Sequence, residues 1–324
     1  MAMVFREKEG VPGGSREDAS IKNVSETALW VAHYRAMETK RRDALFRDPY
    51  AALLAGERGE EIVRTIPMGK ASGWSMTVRT CLIDKGILRL VKEDGVDTVV
   101  NLGAGLDTRP YRLPVPASLH WIEVDLPGIL AYKEEKLAVV QPACDLRLVR
   151  QDLAEAAAAQ ALFAEIGAGA GKVLVLSEGL LAWLSREDVA VLAANLHKQP
   201  NFAWWLMDLM TAALSRWLGQ SGWSKALDAG DARMQFAPEE GPAFFAPYGW
   251  NVVESRSMGM EARRLHREMP LAWLWRLLMP LAPKEKREIY RQLDSHVVLL
   301  TRSQGIGDTG ITGHNAAESG RQPA

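Results

Sequence analysis

From residue 97 onward, short apolar runs alternate with amphipathic stretches, and several of the runs close on an acid. Seven such runs are legible: DTVVNLGAG, SLHWIEVDLP, DLRLVRQDL, KVLVLSEGLLAWL, NFAWWLMDL, GWNVVES and SHVVLLTRS. Between them lie segments with helical spacing. PGILAYKEEKLAVV carries Pro127 in its first turn, and in SREDVAVLAANLHK Ser185 and Asp188 form a variant capping box. Nearly continuous apolar strands separated by helices require a mostly parallel sheet covered on both faces. The expected fold class is therefore α/β, Rossmann-like, with seven strands.

The flanking segments sort by composition and period. Three helical stretches precede the first strand: Asn23 to Phe46, with Asn23 and Ser25 as N-cap candidates, the segment after the Asp48-Pro49 turn, and Ser72 to Val91. They are assigned to a helical cap over 23–92, ahead of a ligand-binding core over 93–208. Residues 209–246 break the alternation and carry Trp217, Trp223, Phe236, Phe244 and Phe245, read as a lid-like insertion. The last strands occupy 247–303. Residues 1–22 and 304–324 have the polar, Gly-rich composition of flexible tails.

Several function classes are disfavoured. With 39 Lys and Arg against 40 Asp and Glu, no basic surplus is available to grip nucleic acid. The most hydrophobic window, Leu271 to Ala282 (LAWLWRLLMPLA), is too short to span a bilayer, so no membrane partner is expected. The N-terminus has no apolar h-region, and Cys81 and Cys144 form no framework, pointing to a cytoplasmic protein. Six histidines without HxxxH or His/Cys spacing leave no metal site to name.

In an open parallel sheet, ligands bind at the carboxyl ends of the strands. The first strand ends in Gly103-Ala104-Gly105, which allows a tight turn and close backbone approach. A dinucleotide fingerprint would need a third glycine where Thr108 stands. The second strand ends at Asp125, placed either to accept ribose hydroxyls or to cap the following helix. The third ends in Gln151-Asp152-Leu153, where an acid and an apolar neighbour suit an adenine or an exposed cap equally. Glu178 closes the fourth, otherwise apolar, strand and needs a cationic partner there. Acids at the third and fourth ends would repel a pyrophosphate. The series suits a nucleoside with a charged amino-acid tail, S-adenosyl-L-methionine.

NLGAGLDTRPYRLP, EVDLP, QDL and SEGLLAWL, preceded by DPYA and Val78-Arg79-Thr80, together resemble the leucine carboxyl methyltransferase family over about residues 23–303. The resemblance is strongest to its bacterial branch of S-adenosyl-L-methionine-dependent O-methyltransferases. It implies a class I methyltransferase fold with an antiparallel seventh strand. Carried over by position, Arg79 would bind the cofactor carboxylate, with Arg35 as a second basic candidate. Gly103, beside Gly105, would line the methionine part, and Asp125 would hold the ribose. Asp152 and Leu153 would contact adenine, and Glu178 would face the amino group. For Arg79 a planar guanidinium matches a carboxylate, although its spacing alone also fits a helix surface residue.

A carboxylate acceptor is ionised at neutral pH and needs no general base, whereas a hydroxyl acceptor would want one. His197, His266, Tyr111 and Tyr248 cannot be ranked for that task, so no catalytic residue is assigned. The expected activity is O-methyl transfer to a small apolar or aromatic acceptor held under the aromatic insertion. An NAD(P)-dependent oxidoreductase and a non-catalytic cofactor-binding module are the alternatives. Seven of the 11 Trp (204, 205, 217, 223, 250, 273, 275) lie beyond residue 203, consistent with an apolar acceptor side or with core packing.

Overall fold

The computed structural model describes residues 26–65, 69–220 and 234–303. The cap candidates Asn23 and Ser25, both tails and Trp223 lie outside these residues. One sheet of seven strands organises the molecule: β1 (Thr98–Leu102), β2 (His120–Asp125), β3 (Asp145–Arg150), β4 (Val173–Ser177), β5 (Phe202–Met210), β6 (Trp250–Ser257) and β7 (Ser295–Arg302). Their order is β3-β2-β1-β4-β5-β7-β6. The first five strands pair in parallel, and β7 runs antiparallel to both β5 and β6. All seven apolar runs are strands, and the expected α/β architecture is the observed one.

The two faces of the sheet carry separate cores because side chains alternate along each strand. On one face Val100, Val175, Trp205 and Met207 pack with α6 (Ala156–Gly169) and α7 (Arg186–His197). On the other, Val99, Leu174, Leu206 and Leu299 pack against α3 (Gly69–Glu93) and α9 (Met258–Arg264). Trp204 and Trp205 divide between the faces as period two demands. At Gly86 of α3 an added Cβ would lie 3.0 Å from Leu206 Cδ2, so the helix sits directly on β5. Of the variant capping box on α7 the N-cap bond forms, Ser185 Oγ accepting from the Asp188 amide at 3.1 Å, while the Asp188 carboxylate accepts from the Ser185 hydroxyl (2.7 Å). The helix after β2, α5 (Pro127–Leu137), starts with Pro127 in its first turn.

The cap is built from α1 (Glu26–Thr39) and α2 (Ala51–Thr65), which pack on each other, and the start of α3. The first helix ends at Thr39, seven residues short of the expected Phe46. Residues 40–50 instead fold back, with the Leu45 amide donating to Glu38 Oε1 (2.7 Å) and the Asp48 amide to Thr39 Oγ1 (2.9 Å). Side-chain acceptors here outcompete continuation of the helix. The chain-reversing turn is therefore wider than the Asp48-Pro49 pair.

The aromatic insertion differs from expectation. Its described part comprises α8 (Ala212–Gln220) and a 3₁₀ stretch, Gly241–Tyr248. Phe236, Phe244 and Phe245 are buried in the α6–α7 face, with Phe245 5.1 Å from Trp205 and Trp205 5.5 Å from Trp250 between ring centroids. These rings extend the core under the sheet edge and form no free lid wall. Edge-to-face stacking of large rings buries more area than an exposed flap permits.

Glu123 on β2 and Lys133 on α5 form a fully buried ion pair, Nζ lying 2.8 and 2.6 Å from the two carboxylate oxygens. Burial pushes the Glu123 carboxyl up to about 7 even with Lys133 beside it. Removing one partner strands the other in the core. Lys133→Met should cost about 3–5 kcal/mol in urea unfolding, and adding Glu123→Leu should recover most of that loss.

Candidate active site

The strand order reverses between β1 and β4, and the cleft opens there, at the carboxyl ends of β1 to β4. Arg79, Gly103, Gly105, Asp125, Asp152, Leu153 and Glu178 all line it, together with Arg35. The structure thus brings every sequence-derived site residue into one cavity. Gly103 (φ 65°) and Gly105 (φ 49°) both require left-handed backbone, which L side chains with a Cβ rarely adopt. Neither position has room either. A Cβ on Gly103 would sit 3.0 Å from Leu180, and one on Gly105 would sit 3.3 Å from the Ala28 Cβ of α1. The cap helix rests directly on the glycine loop.

Asp125 is turned inward at the end of β2. Oδ2 accepts from the Gly105 amide at 2.6 Å and Oδ1 from the Leu126 amide at 2.7 Å. It makes no side-chain cap on α5, so the capping alternative is not realised. Burial raises its pKa and the two amides oppose that rise. Each oxygen keeps a lone pair for a hydroxyl donor. Asp152 accepts from the Ala154 amide at 2.9 Å and is partly open to the cleft, beside half-buried Leu153. The side-chain nitrogen Nε2 of Gln151, also at the cleft, is buried without a hydrogen-bond partner among the described residues, whereas its backbone N–H donates to the Asp125 carbonyl (2.9 Å).

Glu178 sits between two arginines. Oε1 accepts from Arg79 Nε at 2.8 Å, and Oε2 lies 2.7 Å from Arg109 Nη1. Burial would raise its pKa, but Arg109 and Arg79 outweigh that and hold it below the ordinary glutamate value. Arg79 also donates to Asp208 at the end of β5 (2.9 Å), while Asp208 accepts from the Gly179 amide (2.6 Å). Burial works against the Arg79 charge, and Asp208 and Glu178 more than compensate. Arg79 is therefore a cleft residue and not an exposed helix position.

The sequence reading missed the rest of this network. Arg109, 2 % exposed, donates from Nε to Asp84 (2.6 Å) and from Nη1 to Asp107 (2.8 Å). Asp107 also accepts from Asn101 (2.9 Å), and Arg112 grips Asp84 through both terminal nitrogens (2.7 and 2.9 Å). Asp48 Oδ2 accepts from Arg35 Nε (2.8 Å) and Thr108 Oγ1 (2.7 Å), and Arg35 reaches the Leu106 carbonyl (2.6 Å). The signal lay in LDTR after GAG: charged residues at the mouth of an apolar strand have to be paired. Their partners, sixty residues upstream in DPYA or on α3, had no local signature.

This arrangement disfavours a dinucleotide. The helix after the glycine loop, α4 (Arg109–Arg112), is a single turn, so it offers no helix dipole to a pyrophosphate. Thr108, at the third fingerprint position, is fully buried against Asp48. Acids at the ends of β2 and β4 and beside the end of β3 suit ribose hydroxyls and a cationic amino-acid tail. No group of three or more His, Cys, Asp or Glu among the described residues is arranged to hold a metal ion. The insertion's described residues do not line the cleft; Trp183, Leu180 and Val31 supply its apolar wall.

Sheet order, antiparallel β7 and the strand-end cleft define a class I methyltransferase fold. A structure of a protein titled "putative methyltransferase" from Thermobifida fusca shares that fold at a TM-score of 0.52 and 15% identity, over 89% of this chain and 97% of its own. A curated relative from Parafrankia sp., named "Putative S-adenosyl-L-methionine-dependent methyltransferase", is 31% identical over 264 residues, 77% of this chain and 84% of the relative. One of the same designation from Streptomyces coelicolor is 34% identical over 198 residues, covering 57% and 69%. Residues 28–197 match the family profile described as leucine carboxyl methyltransferase. The chain belongs to the leucine carboxyl methyltransferase family.

The charge network makes a pH prediction. Burial would raise the Asp107 carboxyl, but Arg109 above all drives it well below the ordinary carboxylate range. A depressed folded-state pKa contributes stability above the unfolded value of about 4, which is lost as pH falls through the lowered one. The free energy of unfolding should thus drop steeply below about pH 4. Arg109→Met should lower stability by about 3–5 kcal/mol at pH 7 and flatten or invert that acid limb, measured by denaturant titration at stepped pH.

Proposed function

We propose that this chain is an S-adenosyl-L-methionine-dependent O-methyltransferase that esterifies a carboxylate on a small apolar molecule. Methyltransferase chemistry with this cofactor follows from family membership. The observation that carries the cofactor assignment is the placement of Asp125, Asp152, Glu178 and Arg79 around one cleft. In this reading Asp125 accepts the ribose hydroxyls and Asp152 with Leu153 meets the adenine. Arg79 takes the carboxylate and Glu178 the ammonium, so the amino-acid end inserts into an ion pair already formed between these two residues. The unpartnered side-chain Nε2 of Gln151 supplies a further donor toward the base.

When bound, the cofactor supplies an electrophilic methyl group on a sulfonium. What the protein contributes is alignment and exclusion of water. The Gly103 and Gly105 backbones approach closely, and α1 covers them. Trp183, Leu180 and Val31 make the remaining wall apolar. Among the described residues lining the cleft none is His, Lys, Cys or Tyr. A carboxylate acceptor, already ionised, needs no such base, which is what supports the choice of acceptor over a phenol or alcohol.

Calorimetric titration with S-adenosylhomocysteine should show binding in the micromolar range, and Asp125→Ala should weaken it by about tenfold or more, the loss of one or two hydrogen bonds to a carboxylate. No heat at millimolar ligand would remove the cofactor assignment. Acceptor chemistry is separable. Cell extract incubated with methyl-labelled cofactor should yield label released as methanol by mild alkali, the behaviour of an ester. Alkali-stable label would point to an ether or amine, and no incorporation would favour a non-catalytic binding module.

A further inference from the structure

The window Leu271 to Ala282, too short to cross a bilayer, turns out to be the most exposed apolar part of the described structure. It holds α10 (Ala272–Leu278), and α11 (Lys284–Gln292) follows before β7. No residue of α10 is buried. Trp273 is 59 % exposed, Trp275 53 % and Leu281 82 %, with Leu277 and Leu278 also open. Trp275 lies 5.5 Å from Tyr290 between ring centroids, which joins the two helices into one face. Isolated exposed apolar residues need no explanation, but Trp and Leu clustered in the open on one short helical pair mark a contact surface.

Charge identifies the contact. Residues 261–292 carry eight Arg and Lys against four Glu in a chain whose net charge is −1. Arg267 is buried on Glu38 and turned from the face, and Arg264 and Arg276 pair with Glu261 and Glu268, which leaves the remaining cations in excess. A second cavity beside α9 adds to this. It is lined by Lys85, Arg89, Arg256 and Arg264 with Glu254 as its acid, over a floor of Leu82, Leu206, Val297 and Leu299. Lys85 is exposed and forms no ion pair among the described residues. Arg264 ends α9, from which the chain runs on toward α10. A second copy of the same face would bring like charge against like charge across an isologous contact, whereas an anionic surface complements it.

We propose that the α10–α11 face docks on an anionic phospholipid bilayer, with Trp275, Leu278 and Leu281 entering the interfacial layer beside Tyr290 and the surrounding cations meeting the headgroups. Apolar residues with interfacial Trp and Tyr beside Lys and Arg are the composition of a peripheral membrane contact. Among the described residues no helix is long and apolar enough to cross a membrane, so the contact lies on the surface. The sequence-based expectation of no membrane partner concerned spanning segments only, and the inference replaces it. Docking is independent of the cofactor assignment and is read without cofactor.

The test is co-sedimentation of the full chain with vesicles of phosphatidylcholine containing about 30% phosphatidylglycerol, beside pure phosphatidylcholine vesicles. Binding to the anionic vesicles should exceed that to the neutral ones by about tenfold and collapse in about 0.5 M salt. Trp275→Glu with Leu278→Glu should abolish it while leaving the melting temperature and S-adenosylhomocysteine binding unchanged, because these side chains are exposed and remote from the cleft residues. Equal recovery in the pellet with and without anionic vesicles would overturn the proposal. So would light scattering that shows a dimer at micromolar concentration which the double variant dissociates, since the face would then belong to a second copy.

Discussion

Four arginines and five carboxylates, all withdrawn from bulk water at the mouth of the sheet, are the constraint the rest of the structure satisfies. Arg35, Arg79, Arg109 and Arg112 meet Asp48, Asp84, Asp107, Glu178 and Asp208 in a continuous chain of contacts. Removing charges from water costs several kcal/mol each, and only a closed set of partners offsets it. Arginine suits the task because its planar fork serves more than one carboxylate at once: Arg79 holds two and Arg109 three. The network joins α1, the turn after it, α3, the glycine loop and the ends of β4 and β5. A change at any node is therefore felt at the cleft without a contact to a ligand.

The same network explains why the cleft is shaped for its ligand before binding. Glu178 is held ionised between two guanidinium groups, so its negative charge is in place for a cationic tail. Asp125 is fixed by two backbone amides, and no rotamer has to be found on binding. Such preorganisation reduces the entropy lost on association. Its cost is carried by the fold, in glycines with left-handed backbone and in buried charge.

What was legible in the sequence follows from which signals are local. Strand ends could be read because an acid closing an apolar run breaks the hydrophobic pattern at a single position: Asp125, Asp152 and Glu178 each do so. Glycines 103 and 105 were legible because few other uses explain two glycines after a buried strand. The pairings were not. Asp48 meets Thr108 across sixty residues, and Arg79 meets Asp208 across 129, distances at which no periodicity operates. Asp208 stood at the end of a run like the others and was passed over for want of a motif. The aromatic insertion misled for a related reason. Phe244 and Phe245 among Gly and Pro look like a flap, and only the sheet edge beside them decides that they are core. Trp205 and Trp250 likewise belong to packing, whereas Trp273 and Trp275, outwardly of the same kind, face solvent.

Placing β7 between β5 and β6 has a consequence in time. β7, last in chain order among the described strands, supplies the antiparallel partner of β5, and the early helix α3 packs against both β5 and β7. Until about residue 302 has emerged, the nascent chain exposes an unpaired edge on β5 and the apolar side of α3. Contacts of such large sequence separation form late, because loop-closure entropy is lost before they can reward it. Until β7 is made the sheet lacks its penultimate strand, and an interruption short of that strand leaves a sticky edge. The residues that close this edge, Val298 and Leu300 among them, guard against aggregation as much as they contribute to the finished core.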